Sequence, residues 1–396
     1  MTKLQLVWNG KATRSRTPRA VMLEHAGNSY RATGKSSAND QFDNRLIFGE
    51  NLLALKALKK EFQGKIKCVY IDPPFNTGEE FDHYSDSVDH DAWLTFMRDR
   101  LCLIHTLMRD DGLLFVQIDD REHAYLKVLI DEIFGREQFV STIVWQKKYA
   151  GSSVAKLFTG VHEYILVYAK EINRAKINGL PRSQKQDSRY KNHDDDARGP
   201  WFKDNLLRSE ERPNDMYAVK TPSGVEYRPP AGTSWRFRES RLKELVADNR
   251  IWFGCNGGRM PRLKRFLSEV TTSLPPTTWW GHEDAGSYGE ARGEMIKLFN
   301  REESLFATSK PERLLERIIA IGSDPGDWIL DCFGGAGTTG AVAQKMERRW
   351  IMVEHGEQIH SHIVPRLQAV IDGKDTGGVT SSTGWTGGGG YRYSAI

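Results

Sequence analysis

Short unbroken apolar runs alternate with longer stretches in which apolar residues recur every third or fourth position. Leu46-Ile47-Phe48, Cys68-Val69-Tyr70-Ile71 and residues 113–118, the last interrupted only by Gln117, have strand length and a nearly unbroken apolar character, the mark of strands buried on both faces. Between them, Leu52, Leu55 and Leu58 share one helical face, and Trp93, Leu94, Met97, Leu101, Ile104 and Leu107 line another over residues 89–108, which Gly112 closes. A further amphipathic helix is predicted over 125–134, and residues 141–146 and 164–168 read as two strands facing each other. The alternation stops near residue 171 and resumes after 300. There a helix over 310–321 opens with Pro311, followed by the strand Trp328-Ile329-Leu330-Asp331, a glycine-rich turn, a helix and the strand Trp350-Ile351-Met352-Val353.

This pattern divides the chain. Residues 1–42 are a polar extension carrying the basic residues Lys11, Arg14, Arg16 and Arg19; 43–170 are one α/β half and 301–372 the other; 171–300 are an insert; 373–396 are a Gly-, Ser- and Thr-rich segment of flexible composition. In the insert, aromatic and basic residues interleave. Most of its tryptophans are expected to form a small local core, while Arg259, Arg262 and Arg265 are candidates for phosphate contacts, as are Lys147 and Lys148 in the loop over 147–161.

Composition narrows the picture little. The 396 residues are 39% hydrophobic and 27% charged, with a net charge of +4, which permits a nucleic-acid partner without requiring one. No apolar run approaches the 18 residues a membrane span needs, and the N-terminus lacks an apolar signal core. The four cysteines (Cys68, Cys102, Cys255 and Cys332) form no Cys-x-x-Cys pair, and the histidines show no metal-ligand spacing, so no metal site is expected.

The candidate chemistry sits at two strand ends. Asp72-Pro73-Pro74-Phe75 follows the apolar run 68–71, and two prolines stiffen the chain where it leaves the sheet. An acid, rigid carbonyls and an aromatic face at that edge suit a planar base bearing an exocyclic amine: Asp72 and the Pro73 carbonyl accept its hydrogens, and Phe75 stacks on its ring. The second strand end is Asp331-Cys332-Phe333-Gly334-Gly335-Ala336-Gly337-Thr338, with Glu354 closing the next strand. Glycines let the backbone approach a cofactor, and a strand-end acid can hold ribose hydroxyls.

Together these motifs resemble the amino-methylating DNA methyltransferases of the β group, whose domain is circularly permuted, with the catalytic signature first and the cofactor signature last. The likeness extends to the modification subunits of type III restriction–modification systems through residues 72–78, His162-Glu163-Tyr164-Ile165-Leu166-Val167-Tyr168, Arg198-Gly199-Pro200-Trp201, Ala247-Asp248-Asn249-Arg250-Ile251-Trp252-Phe253-Gly254, Lys310-Pro311-Glu312-Arg313-Leu314-Leu315 and the end from Gly387 to Tyr391. The resemblance implies an α/β fold, namely a circularly permuted Rossmann-like S-adenosylmethionine-dependent methyltransferase with an inserted target-recognition region. It further implies methylation of adenine N6 in DNA within restriction–modification or as a solitary methylase, with cytosine N4 methylation and a catalytically inactive DNA-binding module as alternatives. The implied cofactor residues are Asp331, Phe333, Gly335, Gly337, Thr338, Glu354, Glu50 and Lys310; the implied partners are double-stranded DNA, a second copy of the chain and a restriction subunit; the implied setting is the bacterial cytoplasm, for a bacterial or phage-encoded protein held at the nucleoid through DNA.

Overall fold

The computed structural model describes residues 5–13, 21–33, 40–77, 80–81, 84–85, 88–151, 157–300 and 308–396. Arg14, Arg16, Arg19, Gly78, Ser152 and Ser153 lie outside them. The chain separates into two compact units, Met1–Asn178 with Pro275–Ile396, and Gly179–Leu274.

The larger unit is built on an eleven-stranded sheet. Its strands are β1 (Leu23–Glu24), β2 (Tyr30–Arg31), β3 (Asn44–Phe48), β4 (Ile66–Ile71), β5 (Met108–Ile118), β6 (Phe139–Gln146), β7 (His162–Ala169), β8 (Trp279–Trp280), β9 (Trp328–Asp331), β10 (Arg349–Glu354) and β11 (Gly390–Ala395). The spatial order is β1-β11-β3-β10-β9-β4-β5-β7-β6-β8, with β2 also on β11. From β11 to β5 every pair is parallel; β7 is antiparallel to both β5 and β6. The central β9 and β10 come late in the chain, so the sheet has the circularly permuted Rossmann-like order expected from the resemblance.

The long helices of this unit are α1 (Asn51–Phe62), α2 (His90–Leu107), α3 (His123–Phe134), α4 (Tyr288–Phe299), α5 (Glu312–Gly322), α6 (Thr338–Lys345) and α7 (Val364–Ile371). The apolar positions predicted for α2 are those it buries, and β4 is buried at every residue. They share one core with Leu55, Leu58, Leu114, Val116, Leu330 and Ile351. Helix α2 stops at Leu107, so Gly112 falls inside β5 instead of ending the helix.

Two boundaries differ from the sequence expectation. The compact insert is Gly179–Leu274, narrower than 171–300, because β8 pairs in parallel with β6 and buries Trp280 in the main sheet, and α4 follows it. The glycine-rich end is sheet: β11 lies between β1 and β3 with Tyr391 and Tyr393 buried. Its glycines serve close approach. A Cβ on Gly389 would stand 2.5 Å from Gln344 Nε2 and 2.7 Å from the Gln41 carbonyl oxygen.

The smaller unit is a set of short antiparallel pairs with a helix over Glu239–Ala247 and a single helical turn over Gln184–Asp187. Trp201–Asp204, Arg262–Phe266 and Ile251–Trp252 form its three-stranded sheet. Trp235, Leu242, Leu245, Phe253 and Leu263 make its core, and Trp201 is buried against Trp252, so two of its tryptophans are structural as expected.

Candidate active site

Leu330 of β9 pairs with Val69 of β4, so the turns that follow the two strands leave the sheet side by side. After β4, Pro73 is buried, and the Pro74 carbonyl accepts the Trp93 indole N–H at 2.8 Å. Pro74 thus braces the loop on α2. Asn76, at φ 59°, donates to Glu122 at 2.9 Å and accepts from the Val88 N–H at 2.9 Å. Phe75 packs on the main core while remaining half-buried.

Asp72 is met by a residue far along the chain. Lys310 donates to Asp72 Oδ2 at 2.5 Å, and its ammonium lies 5.6 Å from the Phe75 ring centroid and 5.3 Å from that of Tyr288. Lys310, expected on the cofactor side, therefore directs its charge to the acid of the first motif. Its backbone carbonyl accepts from Thr338 Oγ1, at the end of the glycine turn, at 3.2 Å.

Behind this pair runs a buried polar network. The Glu163 carboxylate, buried near the start of β7, accepts from Lys147 at 3.0 Å and Tyr288 at 2.7 Å through one oxygen, and from Gln117 at 2.5 Å through the other. Gln117 accepts from the Tyr70 hydroxyl at 2.6 Å. Burial pushes the Glu163 carboxyl up, but Lys310, Lys147 and the two donors outweigh it and hold it below the usual range. Burial, then Glu163 and Asp72, pushes the Tyr288 phenol far up, so it stays a neutral donor. Lys147, a candidate DNA contact by sequence, is thus committed inward, and Lys148 beside it is exposed. Local sequence marks Glu163 and Gln117 only as a charge and an amide amid strands of buried apolar residues, and gives no sign of a site role for Tyr288 or Tyr70.

The turn after β9 is held from both sides. Gly335 and Gly337 have φ of 53° and 79°, in the left-handed region that glycine adopts without strain. Asp331 accepts from the Phe333 N–H at 2.9 Å and from Thr339 Oγ1 at 2.5 Å; burial first, then the charges of Asp72 and Glu354, pushes its carboxyl up to about 7. Glu354 accepts the N–H groups of Gly335 at 2.7 Å, His355 at 2.8 Å and Gly356 at 3.0 Å, which locks the strand-end acid against the glycine turn. Thr338 is buried and accepts from Arg366 at 2.9 Å, a support beneath the turn. Phe333 stays half-buried, 6.0 Å from Phe96. Glu50 caps α1 through the Leu53 N–H at 2.9 Å and pairs with Arg100. The two buried cysteines, Cys68 and Cys332, have their thiols pushed up by burial, Cys68 to about 12, which makes them inert packing groups.

In the smaller unit Arg259, Arg262 and Arg265 are all exposed; Arg262 donates to Asn205 at 3.1 Å and Arg265 to Asp204 at 2.9 Å. A separate cavity of about 450 Å³ is walled by Arg208, Arg212, Arg236, Arg238 and Arg241 around the start of the helix Glu239–Ala247. Arg212, Arg236 and Arg241 pair with Glu210, Asp204 and Glu244, whereas Arg208 donates to a backbone carbonyl, that of Arg236. No group of histidine, cysteine or acidic side chains among the described residues could hold a metal ion, and no described helix is long and apolar enough to cross a membrane.

Residues 66–365 match the family described as DNA methylase. The chain is 30% identical to the probable type III restriction–modification enzyme HindVI Mod subunit of Haemophilus influenzae, over 89% of this chain and 54% of that protein. It is 32% identical to the type III restriction–modification enzyme StyLTI Mod subunit of Salmonella typhimurium, over 76% and 50%. Its identity to the type II methyltransferase M.EcaI of Enterobacter cloacae is 28%, over 85% and 72%. The chain spans about half the length of the two Mod subunits.

Proposed function

The chain belongs to the DNA methylase family, and from that premise we propose that it transfers a methyl group from S-adenosylmethionine to the N6 amino group of adenine in double-stranded DNA. The observation that carries this reading is the adjacency of the Asp72–Phe75 loop and the glycine turn at the ends of neighbouring parallel strands. Brought together there are an acceptor for amino hydrogens, an aromatic face and a backbone cradle closed by Glu354. The left-handed glycines and the strand-end acid fit S-adenosylmethionine, which supplies an electrophilic methyl group when bound; Phe333, Gly335, Gly337 and Glu354 would hold it.

The amino nitrogen is a poor nucleophile because its lone pair is delocalised into the ring. Asp72, ion-paired with Lys310, and the Pro73 carbonyl accept its hydrogens and draw the nitrogen toward a pyramidal form. Phe75 stacks on the base, worth ~1–3 kcal/mol. Duplex DNA must surrender the base at a cost of about a few kcal/mol. Lys148, Arg259, Arg262, Arg265 and the arginine-walled cavity are the phosphate contacts that offset this cost. The setting is restriction–modification, as for the named Mod subunits. A second copy of the chain and a restriction subunit are the protein partners under this reading.

Mass spectrometry of nucleosides from DNA treated with the protein and labelled cofactor tests the proposal. Label in N6-methyl-2′-deoxyadenosine is expected. Label in N4-methyl-2′-deoxycytidine alone overturns the base assignment, and no label in either overturns the activity.

A further inference from the structure

Two ion pairs, Asp72–Lys310 and Glu163–Lys147, lie in and behind the pocket, with the acids Asp331 and Glu354 on the side of the glycine turn. Under the reading above, the Asp72–Lys310 pair is the one beside the reacting base, and Glu163 and Lys147 stand behind it. The side chain joining the two pairs is Tyr288, whose ring lies beneath the Lys310 ammonium and whose hydroxyl donates to Glu163 at 2.7 Å. The backbone repeats this link, since the Tyr288 N–H donates to the Lys147 carbonyl at 3.0 Å. Glu163 is 1% exposed and Lys310 5%, so water screens neither strongly.

From this geometry we infer that Glu163 is a positioning residue for methyl transfer: with Tyr288 and Lys147 it seats the Lys310 ammonium on Asp72 and balances its charge. The inference rests on the reading under Proposed function. As the amino nitrogen takes the methyl group, the N–C bond forms while the S–C bond breaks, and the positive charge of the sulfonium passes to the nitrogen, which later loses a proton to solvent. Asp72 favours that charge; an unbalanced Lys310 beside it opposes it. With Glu163 ionised the two pairs balance each other. Without it the local charge is one unit more positive, facing a nitrogen that becomes cationic, so the chemical step suffers while binding of the neutral base does not. This gives a role to the His162–Tyr168 stretch, which sequence alone marked only by resemblance.

The test is a double-mutant cycle on the full chain with DNA and cofactor at saturation. Glu163→Gln is expected to lower kcat by about 30-fold or more, with KM for DNA within about twofold, and Glu163→Asp to recover part of the loss. In a Lys310→Met background the same Glu163→Gln change is expected to cost less than about threefold, because the charge it balanced is gone. Tyr288→Phe keeps the ring under Lys310 and removes only the hydroxyl on Glu163; it gives the same comparison where Glu163→Gln does not accumulate as folded protein. Equal losses in both backgrounds, or unchanged kcat in the folded variant, overturn the inference. Failure of the parent protein to methylate DNA instead overturns the function, so the two failures are distinct.

Discussion

At the scale of single residues, Asp72 and Phe75 make separable predictions. Asp72→Ala is expected to lower kcat by about 100-fold or more, as when a charge-stabilising group is removed from a transition state, while calorimetry shows cofactor affinity retained. The reason is direction: Asp72 is paired to Lys310 and lies at the end of β4, not on the glycine turn. Phe75→Ala is expected to cost more than Phe75→Trp, which keeps a stacking face; equal turnover in the two removes the stacking role. Asp331 makes a prediction about stability. Its carboxyl is raised from 3.8 to about 7 in the folded chain. The folded state therefore holds a proton that the unfolded state has lost between those values. The associated stability is fully present below about pH 4 and is lost as pH rises through about 7. Asp331→Asn keeps an oxygen acceptor and has no proton to lose, so the fall in unfolding free energy over that interval, on the order of a few kcal/mol at most, is expected to flatten in denaturant titrations across pH.

At the scale of elements, the glycines of two segments act through different physics. In the turn after β9, Gly335 takes a left-handed backbone at the face a cofactor would meet. Gly335→Val adds strain and fills that space, and calorimetry is expected to show cofactor affinity weakened by about tenfold or more, while the fold survives. Ahead of β11, Gly389 is pressed against Gln41 and Gln344, so any Cβ forces the strand away from its neighbours. Gly389→Ala is expected to destabilise the chain by about 1–3 kcal/mol in thermal unfolding, without a selective effect on cofactor affinity in the folded fraction.

At the scale of the whole molecule, DNA binding is an electrostatic property summed over exposed cations. An arginine already neutralised by an acid releases fewer counterions than one that is not. Arg265 is paired to Asp204, whereas Arg208 is bonded to a neutral carbonyl. Arg208→Ala is therefore expected to reduce the slope of log affinity against log salt by about 1, and Arg265→Ala by less. Fluorescence anisotropy across a salt series measures both. The opposite ranking would move the phosphate path to the Arg259–Arg265 side of the smaller unit.

Local sequence determined the alternation of strand and helix in both halves of the larger unit, because period and burial are two views of one fact: Trp93, Leu94, Met97 and Leu101 recur as a helix face requires, and that face is buried. It also determined the Asp72–Phe75 loop and the glycine turn, since prolines, glycines and strand-end acids constrain the backbone wherever they occur. Tertiary structure alone decided the partners of the charges. Lys310 lies 238 positions from Asp72, and Tyr288 lies 125 from Glu163. No periodicity carries that information, because it depends on which strands become neighbours. Lys147 looked outward by its loop and turned inward because a buried carboxylate on β7 needed a cation. The last strand looked flexible by composition, yet its glycines are what let it enter a crowded sheet. Sequence describes what each segment prefers; the closing of the sheet determines which buried charge each preference must satisfy.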